Sequence, residues 1–514
     1  MIKKLEDAIG KENVNTSDME RMLYSHDLAP LPKEAGLAFN HIPDVVVRPS
    51  TVGDVAKIVK IALTTGAPIT PRGASTWGLG GCQPAAAGIV VDFSSKMNQI
   101  FEIDEKNMCV KVAAGCTWKK VYEACAKKGL LVGSYPSSFP AATVGGWVST
   151  GGIGPGGYKY GAARDNLLNL EVVTSDGTVM NTGFDKIANN MSGYNLNQLF
   201  TGAEGTLGLI TAVTLRVYPM GIIKPLAYDF ANLKEMGGPI NEIVKHPSLK
   251  PLHIAWSDHL HFANQRKAGL HAPDVANLLL VTLQGDKDFV ALEEKVVDEI
   301  VKKYGGVKVA DSIAQHEWDE RCYEFRARKV GTGSIPAEVV VPVASWSDFV
   351  DECYEGFKAM RMEAGGIIGM IADRSTAMFM PYYFMDGESI IGMTGFAYNF
   401  YMGDRAAEYG GRSLGLGVFF AYNLDRIHDA GSAEFMRMLK TSADPRDVMN
   451  PGHLVCGKTR FGVNMGDKLM TLMGSIMQGA KKIMPADSSF ASNKKRFHFD
   501  EMEHEKQQTR NVKL

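Results

Sequence analysis

The chain has 514 residues, 45% of them hydrophobic and 22% charged, with a formal net charge of −2. This is ordinary globular usage, long enough for two or three domains, and it argues against polyanion binding, so no nucleic-acid partner is expected. No stretch is apolar enough to span a bilayer, and residues 1–7 lack the apolar core of a signal peptide, which makes a cytoplasmic location the expectation.

Residues 16–65 read as helix, strand, helix. The strand, 43–50, is β-branched and closed by Pro49. Val52, Val55, Ile58, Val59 and Leu63 follow at helical spacing, with Ser50 or Thr51 as cap and Gly66 as stop. Residues 68–70 form a strand that runs into a glycine-rich segment, 71–81. Strands at 89–93 and 108–112 and a helix at 118–128 come next, then a second glycine-rich segment at 143–152. A strand at 170–174, a third glycine segment at 204–210 and a strand at 209–217 close this portion at Pro219.

From about residue 222 to 435 the pattern changes. Strands at 277–283, 339–342 and 377–381 alternate with helices at 289–304 and 346–364. A helix around 431–439 leads to Asp444-Pro445-Arg446-Asp447-Val448-Met449-Asn450-Pro451-Gly452. Beyond it, residues 465–484 are methionine-rich, with Leu469, Met473, Ile476 and Ala480 on one helical face, and the polar remainder 486–514 resembles a disordered tail. The fold class is α+β. The spacing in 71–81 is not the G-x-G-x-x-G of a nicotinamide-dinucleotide fold.

Glycines let a backbone approach a ligand closely, and successive N–H groups make anion-binding nests. Three such loops on one domain point to a long, phosphate-containing ligand. The seven cysteines, Cys82, Cys109, Cys116, Cys125, Cys322, Cys353 and Cys456, include no C-x-x-C pair, which argues for free thiols and against an iron–sulfur cluster or structural zinc.

The order and spacing of the three loops, with the closing 444–452 segment, resemble the FAD-binding domain of the vanillyl-alcohol oxidase and p-cresol methylhydroxylase superfamily. The likeness is nearest to the glycolate oxidase flavin subunit and D-lactate dehydrogenase branch. It implies a two-lobed FAD domain at 1–222, a cap (substrate) domain at 223–439, a return to the FAD domain at 440–458 and a C-terminal extension at 459–514. It implies FAD contacts from Pro71, Arg72, Gly73, Ala74, Ser75, Thr76 and Trp77 in the first loop. In the second, the contacts are Ser137, Ser138, Phe139, Pro140, Ala141, Ala142, Thr143, Gly145, Gly146, Thr150 and Gly151. The third contributes Glu204, Gly205, Thr206, Leu207, Gly208, Leu209 and Ile210. The first loop lacks the flavin-linking histidine of several relatives, so FAD is expected to be noncovalent.

The cap departs from the family pattern. Hydroxy-acid members carry H-x-G-D-G-N-x-H and G-E-H-G motifs that hold a metal; here 370–377 and 410–417 contain no histidine. No metal is expected. His259 and His261 would share one face of a strand, but no third ligand is near in sequence. Arg326 and Arg328 lie in a stretch resembling the one that supplies a carboxylate-binding arginine, and guanidinium suits a carboxylate by paired N–H bonds. Tyr382 and Tyr383 resemble the substrate strand of phenolic-alcohol oxidases, where a phenol can hydrogen-bond a substrate oxyanion. These four residues are the candidate catalytic set.

The reading is therefore an FAD-dependent dehydrogenase or oxidase of a small 2-hydroxy acid or alcohol. The alternatives are an oxidase of a phenolic or neutral alcohol, and a non-redox transferase resembling alkyldihydroxyacetonephosphate synthase. Lacking its own iron–sulfur ligands, the chain is expected to pass electrons to a partner subunit or to work as a homo-oligomer. The methionine-rich helix is the expected docking element, with peripheral membrane contact as a further option.

Overall fold

The computed structural model describes residues 1–28, 41–188, 191–322, 333–385, 392–418, 420–455, 457 and 467–484. Arg326 and Arg328 lie outside the described residues.

The first lobe is a four-stranded sheet of β1 (Val14–Asn15), β2 (Val45–Val47), β3 (Ile69–Arg72) and β4 (Ile89–Asp92), in the order β1-β2-β4-β3. β2, β4 and β3 run parallel, and β2 and β4 are buried throughout, as parallel strands covered on both faces must be. The crossover helix Val52–Thr65 starts at a capping box in which Thr51 and Asp54 satisfy each other's backbone N–H. It stops at Gly66, whose φ of 70° suits a residue without Cβ. Val55, Ile58, Val59 and Ala62 are its buried face.

The second lobe holds β5 (Ile100–Asp104), β6 (Cys109–Ala113), β7 (Leu130–Val132), β8 (Leu167–Val173), β9 (Val179–Asn181) and β10 (Leu209–Pro219), around β10. The chain then passes into a nine-stranded sheet whose first strand begins at Ile222. Its strands are β11 (Ile222–Phe230), β12 (His253–Ser257), β13 (Asn277–Gly285), β14 (Val307–Lys308), β15 (Gly333–Pro336), β16 (Val339–Pro342), β17 (Glu363–Ile371), β18 (Thr376–Met385) and β19 (Arg412–Ser413). The order is β14-β11-β13-β12-β17-β18-β16-β19, with β15 also on β18.

Alternation along β18 splits the sheet's two faces. Ala377, Phe379 and Tyr383 join the helix-covered core with Trp346, Phe349 and Tyr398. Met378, Met380, Tyr382 and Phe384 face the other way, where Ile153, just beyond the second glycine segment, and Leu414 pack against them. The helix expected over 346–364 ends at Ala359, because Arg361 turns with φ of 52° and β17 begins at Glu363.

The return segment is tied into the first lobe. Ile69 donates to Val448 O at 2.7 Å, and Asn450 donates to Ile69 O at 2.8 Å. Buried Lys440 donates to Thr206 O at 3.1 Å and Met449 O at 2.8 Å and pairs with buried Asp444.

Two expectations change. His259 and His261 do not lie on a strand. They open the helix His259–Lys267, capped by Asp258, because a good N-cap side chain accepts His261 N–H at 2.9 Å. Two residues apart on a helix, they do not share a face. The C-terminal helix, Asp467–Ile483, is seated on its own cap domain against the helix Ala397–Glu408. Gly474 lies against Phe400, Gln478 donates to Asp404 at 3.2 Å, and Arg361 donates to Met484 O at 2.8 Å. The inward residues are Gly474, Met477 and Lys481, whereas Ile476 of the expected docking face points outward with Leu472 and Ile483. Among the described residues no helix is long and apolar enough to cross a membrane.

Candidate active site

One cavity of about 800 Å³ runs between the three glycine loops and the methionine-bearing face of the nine-stranded sheet. Its size is that of a site for a large organic ligand. The first loop lines it from Pro71 to Trp77 without a gap. The second contributes Ser137, Ser138, Pro140, Ala141, Ala142, Thr143, Gly145, Gly146, Thr150 and Gly151. The third contributes Glu204, Gly205, Gly208, Leu209 and Ile210. Three expected contacts stand behind this wall. Phe139 packs on Tyr122 and Tyr135, Thr206 is buried with its hydroxyl on Ala203 O, and Leu207 packs into the core shared by the first two lobes.

The glycines bring the loops together. A Cβ on Gly73 would stand 2.2 Å from Thr143 Oγ1, and one on Gly205 2.4 Å from Pro71 Cγ. Gly205 also has φ of 75°, a region L side chains rarely adopt. Each contact joins two of the three loops, and Ser138 Oγ donates to Thr76 Oγ1 at 3.2 Å across the same seam. Ser75 and Glu204 hold φ of 58° and 50° without being glycine, backbone strain of the kind found at ligand clamps. Arg72 does not simply aim its charge inward. Its guanidinium donates to His26 O at 2.8 Å and lies 4.8 Å from the Tyr24 ring centroid, bracing the N-terminal segment.

Glu204 links three parts of the chain. Its carboxylate accepts Gly417 N–H at 3.2 Å from the cap, and its main-chain oxygen accepts Asn450 Nδ2 at 2.7 Å from the return segment. Burial pushes this carboxyl up to about 7, and its Oε2 has no partner among the described residues.

The cap side of the cavity is formed by Cys322, residues 334–338, Met378, Met380, Asn399, Ser413, Leu414, Gly415 and Phe420. Leu414 therefore sits in the wall within the segment expected to carry the missing G-E-H-G histidine. Neither candidate tyrosine belongs to the lining. Tyr382 is buried on the cavity-facing side of β18, with its hydroxyl 2.9 Å from His261 Nδ1; Gln265 Nε2 lies 2.7 Å from the other ring nitrogen. Burial lowers His261 to about 4, so the ring is neutral. Tyr383, on the opposite face, donates to Asn399 Oδ1 at 2.6 Å, and Asn399 does line the cavity.

The comparisons with known proteins agree with this architecture. A family model described as an FAD binding domain matches residues 43–183, and one described as the C-terminal domain of FAD linked oxidases matches 225–454. The chain belongs to the FAD-linked oxidases. Glycolate oxidase subunit GlcD of Bacillus subtilis is 31% identical over 60% of this chain, a match spanning 64% of that protein. The mitochondrial D-lactate dehydrogenase [cytochrome] 1 of Saccharomyces cerevisiae is 26% identical over 88% of this chain and 79% of its own. Among solved structures, substrate-bound p-cresol methylhydroxylase superposes with a TM-score of 0.76 at 18% identity, over 88% of this chain and 96% of that one. Alkyldihydroxyacetonephosphate synthase gives 0.67 at 19% identity, over 88% and 84%. At such identities these structures speak for the fold alone.

The loops fit FAD: glycine contacts hold three backbone segments around one elongated cavity, and Glu204 Oε2 is a buried acceptor left free beside it. Among the described residues no group of three or more His, Cys, Asp or Glu is placed to hold a metal ion. The cap residue that the sequence reading missed is Glu338. Its signal was weak: one glutamate before a β-branched strand, with nothing in its spacing to tie it to a glycine loop 260 residues earlier.

Proposed function

We propose that this chain oxidises a small 2-hydroxy acid or alcohol, with noncovalent FAD held by the residues of the three loops, and passes the electrons to a partner protein. The observation that carries the reading is the shared cavity, in which the loops of an FAD domain meet a cap wall with few polar groups. Bound FAD supplies a two-electron acceptor. The protein's share is placement: Met378, Met380, Leu414 and Phe420 exclude water from the cap side, while Ser334, Glu338 and Asn399 offer polar contacts. Asn399 is held by Tyr383 and by its own bond to Pro336 O at 3.0 Å, which gives Tyr383 a positioning role.

The named activities of the glycolate and D-lactate relatives favour a hydroxy acid, whose carboxylate would pair with Arg326 or Arg328. A second reading, a phenolic or neutral alcohol, has its own support. The described cap-side lining contains one carboxyl group and no cation. Anaerobic mixing of the yellow protein with D-lactate, glycolate and a panel of neutral and phenolic alcohols separates the two. Bleaching by a hydroxy acid, weakened by roughly 2–5 kcal/mol in binding when the pocket arginine becomes Met, supports the first. Bleaching by alcohols alone, with Arg326→Met and Arg328→Met unchanged, supports the second. Flavin left in the precipitate after acid treatment contradicts noncovalent binding.

A further inference from the structure

The cavity contains an acid with no charged partner among the described residues. Glu338 joins β15 to β16 and is fixed on both sides by the sheet. The preceding Ala337 donates to Pro381 O at 2.8 Å, and the Glu338 carbonyl accepts Leu414 N–H at 2.9 Å. Its side chain borders the cavity beside Met378, Met380 and Leu414, and the Trp77 indole of the first glycine loop hydrogen-bonds its carboxyl. Ser334 stands further along the same wall, opposite Phe384, whereas Glu338 lies level with Met380. A carboxyl in a wall otherwise rich in apolar side chains is placed to meet the polar end of a small ligand.

We propose that Glu338 is the catalytic base of the oxidation, its carboxylate taking the hydroxyl proton of the substrate. This rests on the reading of the cavity as the site of a hydroxy-compound oxidation. The substrate O–H bond breaks and its electron pair becomes the second bond of the carbonyl. The proton ends on a Glu338 oxygen. The hydrogen on carbon departs with the C–H pair to oxidised FAD, the acceptor that the family's activity supplies. Glu338 returns its proton to water when the product leaves.

The charge environment suits the task. Burial pushes Glu338 up to about 7, opposed by the Trp77 hydrogen bond. Around it, the first loop presents Trp77, β18 presents Met380, and the 413–414 segment presents Ser413 and Leu414. Asp27, Arg72, Cys82, Glu204 and Cys322 are the other ionisable groups on the described wall, and none contributes to the shift. A base poised near neutral pH is both ionised enough to act and basic enough to accept the proton.

The test uses the FAD-bound full chain, wild type and Glu338→Gln, with Glu338→Asp as the conservative variant. The probes are D-lactate, glycolate and a neutral alcohol panel. Glu338→Gln should keep its flavin and its reduction by dithionite, and lose roughly 10²–10⁴-fold in the rate of bleaching by whichever substrate reduces the wild type. The wild-type rate should rise with pH to a plateau above about 7, and Glu338→Asp should recover part of it. Independently of turnover, infrared titration should show a protonated-carboxyl band with a midpoint near 7 that Glu338→Gln removes. Wild-type rates in Glu338→Gln, or no such band, would overturn the assignment. If dithionite bleaches the wild type and no hydroxy compound does, the functional reading fails and the base falls with it.

Discussion

On the loop side of the cavity, Gly73, Gly146 and Gly205 set the wall by what they lack; on the cap side, Met378, Met380, Leu414 and Glu338 set it by what they carry. The loop side is a problem of backbone clearance, solved within short stretches of sequence. The cap side is a problem of side-chain identity, and its members come from β15, the 337–338 link, β18, the helix Ala397–Glu408, β19 and flanking loops, brought together by strand pairing. A motif can record the first kind of wall. The second can change its chemistry while keeping its shape, which fits a chain whose fold is shared with phenol oxidases and whose sequence relatives are named for lactate and glycolate.

The sharpest way to break this contrast is at Gly73. Gly73→Val should abolish FAD retention, read as the flavin-to-protein ratio after gel filtration, because its Cβ meets Thr143 Oγ1 at 2.2 Å. If loop closure is the cause, Gly73→Ala should be partly rescued by Thr143→Ala. No rescue would mean that the side chain blocks ligand space instead.

The next largest effect lies where the return segment closes the loops. Lys440→Met leaves Asp444 buried without its partner and should cost about 3–5 kcal/mol in urea unfolding. A loss under 1 kcal/mol would show that the 444–452 segment is held by its backbone bonds alone.

Glu204 tests the seam between the two sides. Its carboxyl is raised from 4.5 to about 7, so the folded state binds more protons than the unfolded one between those values. Its contribution is therefore lost as pH rises through that window. Glu204→Gln should make stability less dependent on pH there, gaining roughly 1–3 kcal/mol relative to wild type at pH 8. An unchanged pH profile would place the carboxylate in contact with solvent.

The smallest effect is expected behind the cap wall. Tyr382→Phe removes the hydrogen bond to His261 and should cost about 1 kcal/mol of stability while leaving substrate reduction of the flavin intact. A large loss of rate with unchanged stability would return Tyr382 to the reaction itself.

The legible parts of this molecule were those with local signals. The helix Val52–Thr65 carried its capping residue, its apolar spacing and its terminal glycine within 16 residues. The three loops carried glycine in a fixed order. Phe139, Thr206 and Leu207 were drawn into the expected contact set because a motif names every residue of a loop, including those whose side chains turn into the core behind it. His259 and His261 were misplaced because their alternation outweighed the Asp258 cap. The tyrosine pair was legible as a strand; which of its faces met the cavity depended on the pairing of β18 with β15 and β17. Glu338 was illegible because its neighbours Trp77 and Leu414 lie far from it in sequence. The C-terminal helix looked like a free amphipathic element, and its seat against Phe400 could not be read without the cap.

The most direct test of the whole account is a crystal structure with FAD and an unreactive substrate analogue bound. The account predicts the cofactor along Gly73, Gly146 and Gly205, its ring system beneath Met378 and Met380, and the analogue's hydroxyl-equivalent oxygen about 3 Å from a Glu338 oxygen. An analogue bound away from Glu338, or a flavin ring that does not reach the cap wall, would contradict it.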